Sequence, residues 1–200
     1  MGRRILVQGR KRGHIIRAQT REAARLAGQP PGIEVVAADP TDAAALRALV
    51  AGQDAVVMSL GSAPGRRTTL FSDVTAKLIA AMAAAHVRRL VAITGVGAGE
   101  TRGHGGFLYD RIIYPLFTRP FYQDKDRQER LIRDSALDWV IVRPAPFKAT
   151  AGSTPLQAIT DVRPDTFLRR ITRDEVASFV LDQLTNDRYP RRPVFIGHVS

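Results

Sequence analysis

Apolar positions along this chain fall into two periods. Short unbroken runs lie at 5–7, 14–18, 33–37, 55–58, 90–94, 139–142 and 194–196. Each is rich in β-branched residues and bounded by glycine, proline or charge, the pattern of a strand buried on both faces. Between them the spacing stretches to three and four. Leu46, Leu49 and Val50 mark a helix over 43–50, and Val74, Leu78 and Met82, flanked by Phe71, Thr75 and Ile79, mark a longer one. Residues 124–133 carry two acid-before-base pairs four apart, Asp126 with Arg130 and Glu129 with Arg133, which support a third helix. Thr172 and Glu175 have capping-box spacing ahead of the stripe Val176, Phe179, Val180 and Leu184. Residues 147–168 show no period and hold Pro155 and Pro164, which predicts an irregular segment on the substrate side.

Strands alternating with helices predict a single α/β domain over residues 1–200, a Rossmann-like, doubly wound, mostly parallel sheet. The run at 139–142, ending at Arg143-Pro144, organises the prediction. Open α/β sheets take their ligands just beyond the carboxyl ends of such strands, so a site is expected over 143–147. The front of the chain does not obey the pattern. Only residues 8–13 separate the first two runs, whereas two parallel strands of one sheet need a crossover of about a dozen residues. Three arrangements remain open: a hairpin through 10–13, one run that is not a strand, or residues absent from the sequence. The N-terminal βαβ unit is therefore altered or truncated.

Composition narrows the chemistry. The chain has no cysteine and four scattered histidines, which excludes disulfides and thiolate metal sites and speaks against zinc. Its formal charge is +11, and 26 of its 30 basic residues are arginines spread over the whole length. No helix-turn-helix, zinc-finger or RNP-like pattern accompanies that charge, so nucleic acid is not expected as a partner. No apolar run approaches a membrane span. A small-molecule substrate, a cytoplasmic setting and no membrane are expected, with self-association left open.

Three motifs taken together resemble a family. The run Asp138-Trp139-Val140-Ile141-Val142-Arg143-Pro144, the segment 87–94 with the glycine-rich 95–99 behind it, and Ile171-Thr172-Arg173-Asp174-Glu175-Val176-Ala177 resemble the atypical short-chain dehydrogenase/reductases. Within these the NAD(P)H-binding, NmrA-like group with its flavin and biliverdin reductase-like proteins is nearest in character. The resemblance implies a nicotinamide cofactor, NADP or NAD, across the strand ends, and hydride transfer to a small conjugated acceptor such as a flavin, quinone or polyketide carbonyl. It also leaves two other readings open. One is a cofactor-independent relative doing non-redox work as a cyclase, isomerase or dehydratase; the other is an NmrA-like ligand-sensing regulator. The front departs from the family, since residues 7–14 contain no G-x-G-x-x-G.

Carried over position by position, the resemblance implies catalytic roles for Thr94, Tyr122 and Lys125. Thr94 ends its strand where relatives place an active-site hydroxyl. Tyr122 and Lys125 are three apart where the family pair is four, with Phe121 in the tyrosine place. Cofactor contacts are implied for Gly9, Arg17, Asp39, Leu60, Gly61, Lys125, Pro144 and Ala145, with Arg17 as a base toward a 2′-phosphate. His104, between glycines, reads as a surface histidine or a general base, and Tyr109 with Asp110 as a pocket wall or as packing residues.

Overall fold

In a computed structural model of the chain, residues 1–61, 69–104, 111, 119–150 and 154–199 are described. The order is α1 (Gly2–Lys11), β1 (Ile16–Thr20), β2 (Ile33–Ala37), α2 (Ala43–Val50), β3 (Ala55–Met58), α3 (Leu70–Ala84), β4 (Arg89–Ile93), α4 (Arg119–Asp134), β5 (Asp138–Pro144), β6 (Leu156–Ile159), α5 (Arg173–Asp182) and β7 (Arg192–His198). Strands β3, β4, β5 and β7 are parallel neighbours in that order, and β6 closes the far edge antiparallel to β7. Strands β1 and β2 form a separate parallel pair.

The central strands are buried on both faces, as their unbroken apolar runs require. Val91, Val140, Val142, Val194 and Ile196 pack toward α5 with Val176 and Val180. Leu90, Ala92, Trp139 and Ile141 pack toward α2, α3 and α4 with Val50, Val74, Met82 and Ile132. Alternate residues of one strand thus feed two cores. The capping box at Thr172 is formed as the spacing predicts, with Thr172 Oγ1 accepting from the Glu175 N–H and Glu175 accepting from the Thr172 N–H.

The expected first strand at 5–7 is a correction: those residues lie inside α1. Ile5, Leu6 and Gly9 form one buried stripe at helical spacing among arginines, and α1 packs against α5. The short apolar triplet looked like a strand only because the arginines on either side hid the helical period. With α1 preceding β1, the crossover difficulty disappears. Doubly wound sheets of the 3-2-1-4-5-6 order place their first strand centrally. Here the two-stranded and five-stranded sheets remain separate, and among the described residues no strand pairs with the free edge of β1 or of β3. The irregular segment expected over 147–168 is also corrected, because it contains β6.

Candidate active site

A cavity of about 440 Å³ opens beyond the carboxyl ends of β3, β4 and β5. Its walls bring together Leu60 and Gly61 after β3, Thr94 and Gly95 after β4, Tyr122 and Lys125 on α4, and Pro144 and Ala145 at the end of β5. Seven of the ten expected site residues therefore surround one space, and Met1, at the start of α1, lines it too. The other three stand elsewhere. Gly9 is interior to α1, where an added Cβ would come within 2.9 Å of Ile16 Cδ1; it is a packing glycine. Arg17 donates to the carbonyls of Ala48 and Ala51 at the end of α2, at 2.8 and 2.9 Å, and pairs with Glu34 at 2.8 Å. It caps a helix C-terminus, where cations are favoured. Asp39 accepts from the Thr41 N–H and hydroxyl, an Asx turn leading into the Asp42 cap of α2, and does not line the cavity. His104 bonds the Arg163 carbonyl at 2.9 Å, also outside the cavity. Tyr109 and Asp110 lie outside the described residues.

Lys125 is the most perturbed group in the cavity wall. Its side chain is fully buried, with Nζ 2.9 Å from Gln128 Oε1 and 3.8 Å from the centroid of the Phe71 ring. Burial pushes its pKa down to about 7, against the opposing charges of Glu129 and Asp124. Both neighbours are held by other partners. Asp124, itself fully buried, accepts from the Phe71 N–H at 2.8 Å and the Ser72 hydroxyl at 2.6 Å, tying α4 to the start of α3.

Glu129 is buried one turn farther along α4. It accepts from Thr94 Oγ1 at 2.7 Å and from Arg143 Nε at 3.0 Å, and Arg143 Nη2 completes a two-pronged ion pair. Arg143 also donates to Glu100 at 2.5 Å. Burial works against the Arg143 charge, but hydrogen bonds and charge from Glu129 and then Glu100 outweigh it and raise the pKa. Burial likewise opposes the Glu100 charge; a backbone hydrogen bond and the Arg143 and Arg133 guanidiniums bring its pKa down to about 2. The four-residue spacing predicts Glu129 beside Arg133 on one helix face. That contact exists at 3.7 Å, yet the tighter partners are Thr94 and Arg143. Asp126, expected to pair with Arg130, instead accepts from the Gly99 N–H and pairs with Arg102. The signal for Glu129 was present: an arginine inside the apolar run of β5 needs a buried acid, and Glu129 shares a helix face with Lys125.

The glycines after β4 have a steric purpose. A Cβ on Gly97 would stand 2.7 Å from the Tyr122 ring, and one on Gly95 3.1 Å from the Tyr122 hydroxyl oxygen, so both admit the tyrosine against the loop. Gly99 makes room for the Arg143 guanidinium, with a φ of +52° besides.

A nicotinamide dinucleotide fits these residues. A Cβ on Gly61 would meet no atom within 4 Å, so the strand end lets a ligand approach the backbone closely. The start of α1 borders the cavity, and helix starts present free N–H donors to phosphate.

A family described as NAD(P)H-binding matches residues 1–187. Among curated sequences, the Bacillus subtilis protein named uncharacterized sugar epimerase YhfK is 27% identical over 180 residues, spanning 86% of this chain and 76% of its own. Among solved structures, ChuY of Escherichia coli O157:H7, an anaerobillin reductase, superposes with a TM-score of 0.77 at 20% identity, covering 98% of this chain and 91% of that one. A wide-type short-chain dehydrogenase/reductase of Veillonella parvula, solved with NADP, does so with a TM-score of 0.77 at 15% identity, covering 98% and 88%. These structures share the fold.

Proposed function

We propose, for a chain that belongs to the NAD(P)H-binding family, that it is an NAD(P)H-dependent oxidoreductase reducing a small conjugated acceptor. The observation that carries this reading is Lys125, buried at the cavity wall with its pKa near 7 and with Thr94 lining the same space. When bound, the dihydronicotinamide supplies a hydride, two electrons and one proton's nucleus, to the acceptor. Lys125, as the ammonium, would give its proton to the anion that hydride addition leaves on the acceptor, and solvent would replenish it, so that the acceptor gains two hydrogens in all. A lysine pKa near the working pH suits it to give up that proton and recover it.

Thr94 has a narrower role than its position alone suggests. Its one hydroxyl proton is given to Glu129, a carboxylate that can only accept. Its lone pairs therefore remain for a donor, and the carboxamide N–H of a nicotinamide is the group this suits. Pro144 and Ala145 close the floor of the cavity beside it, and Tyr122 forms the wall against Gly95 and Gly97. Flavins, quinones and polyketide carbonyls are the acceptors to try first, with the anaerobillin named for ChuY beside them.

The test is oxidation of NADPH and NADH, followed by nicotinamide absorbance, with each acceptor class and with Lys125→Met alongside. Acceptor-dependent oxidation that Lys125→Met reduces strongly supports the reading. Binding of neither cofactor at millimolar concentration would overturn it and move attention to non-redox substrates of the same cavity.

A further inference from the structure

A second cavity, of about 430 Å³, lies along the α4 side of β5 and β7, apart from the first. Its wall carries four arginines, Arg133, Arg143, Arg191 and Arg192, against two carboxylates, Glu100 and Asp161. The acids do not use up the cations. Glu100 is shared between Arg143 and Arg133, at 2.5 and 3.0 Å, and Asp161 pairs with Arg163 at 3.3 Å. Arg191 spends one nitrogen on the Ser135 carbonyl at the end of α4, at 3.0 Å, and Arg192 has no side-chain partner among the described residues.

The second observation is Trp139. It lines this cavity, is 4% exposed, and its indole nitrogen is buried with no hydrogen-bond partner. That nitrogen can only donate. A buried donor left unpaired is destabilising relative to one that is satisfied, so the position calls for an acceptor. An acceptor atom at Trp139 with negative charge facing guanidiniums describes a carboxylate or phosphate group, whose oxygens match the arginine fork.

We infer that this cavity is a binding site for a small organic anion bearing a carboxylate or phosphate, seated on the indole N–H of Trp139 and held by Arg133, Arg191 and Arg192. It is a separate site from the proposed active cavity, and the inference does not depend on that reading. The two are nonetheless joined inside the protein. Glu100 and Arg143 line the second cavity, Arg143 holds Glu129, and Glu129 holds Thr94 in the first.

The chain has one tryptophan, so its fluorescence reports this site alone. The experiment titrates the full chain, without nicotinamide cofactor, with malonate, citrate and inorganic phosphate at constant ionic strength set by chloride. Calorimetry provides a second readout. The expected result is a saturable change in Trp139 emission with at least one probe. Arg192→Gln should weaken it roughly tenfold, the scale of one lost charge-assisted hydrogen bond, and Asp161→Asn should tighten it. Trp139→Phe should lower the affinity in calorimetry while circular dichroism shows the fold retained. Arg192 and Asp161 are exposed at the rim, so their variants test the site without disturbing the core. A response matched by chloride alone, or one that Arg192→Gln and Asp161→Asn leave unchanged, would overturn the inference.

Discussion

The Lys125 ammonium sits 3.8 Å above the centroid of the Phe71 ring, and both side chains are buried. The ring face favours the cation, but burial outweighs it and the pKa falls from 10.5 to about 7. The sign of the pH dependence follows. Between pH 7 and 10 the unfolded chain keeps the proton and the folded chain does not, so stability rises with pH across that window. Below pH 7 both states are protonated and the penalty is constant, on the order of a few kcal/mol. Urea unfolding at a series of pH values should show the rise, and Lys125→Met should abolish it. Turnover should move the opposite way, falling above about pH 7 as the donor proton is lost.

Glu129 joins Thr94 to Arg143, and its removal should expose how much that pair holds. Glu129→Leu strands a buried guanidinium, a change that typically costs roughly 3–5 kcal/mol. Glu129→Leu combined with Arg143→Met removes both charges and should recover part of the loss, because breaking a buried pair is worse than replacing it. Denaturant midpoints of the single and double variants decide this. Equal destabilisation of the two would mean that Glu100 alone carries Arg143.

Strands β4 and β5 could be read from apolar runs because both are buried on both faces, which leaves no alternation to confuse. Residues 5–7 could not. Three apolar residues between Arg3-Arg4 and Gln8-Gly9 fit a strand and one turn of helix equally well, and only the packing of Ile5 with α5 decides. The site was legible where backbone position governs it, at Gly61, Thr94 and Pro144. It was not legible where side-chain direction does. Arg17 turns to the end of α2, Asp39 turns back on Thr41, and Glu129 turns inward to Thr94 and Arg143, partners that its spacing to Arg133 does not reveal.

Gly97 and Tyr122 make a steric prediction. Gly97→Ala places a methyl 2.7 Å from the ring, so the ring must swing from the cavity wall. The strain should cost about 1–3 kcal/mol, as overpacking does, and cofactor affinity should fall with it. Adding Tyr122→Ala to Gly97→Ala should restore most of the stability while leaving the binding defect. If the single variant melts with the parent and binds as well, the contact is not a constraint.

The last prediction concerns the split sheet. Strands β4 and β5 are paired on both sides and lie between two apolar layers, whereas among the described residues β1 is paired only with β2 and contributes one buried residue, Ala18. Opening the β1–β2 pair exposes little apolar surface, and local opening free energy scales with such burial. Arg17 is its main tether to α2, through the carbonyls of Ala48 and Ala51. Hydrogen exchange should therefore show the amides of β1 and β2 opening well below the global unfolding free energy, with β4 and β5 exchanging only through global unfolding. Arg17→Ala should accelerate exchange in β1 and β2 and leave β5 unchanged. Uniform protection across both sheets would show that the two-stranded unit is held by more than these contacts.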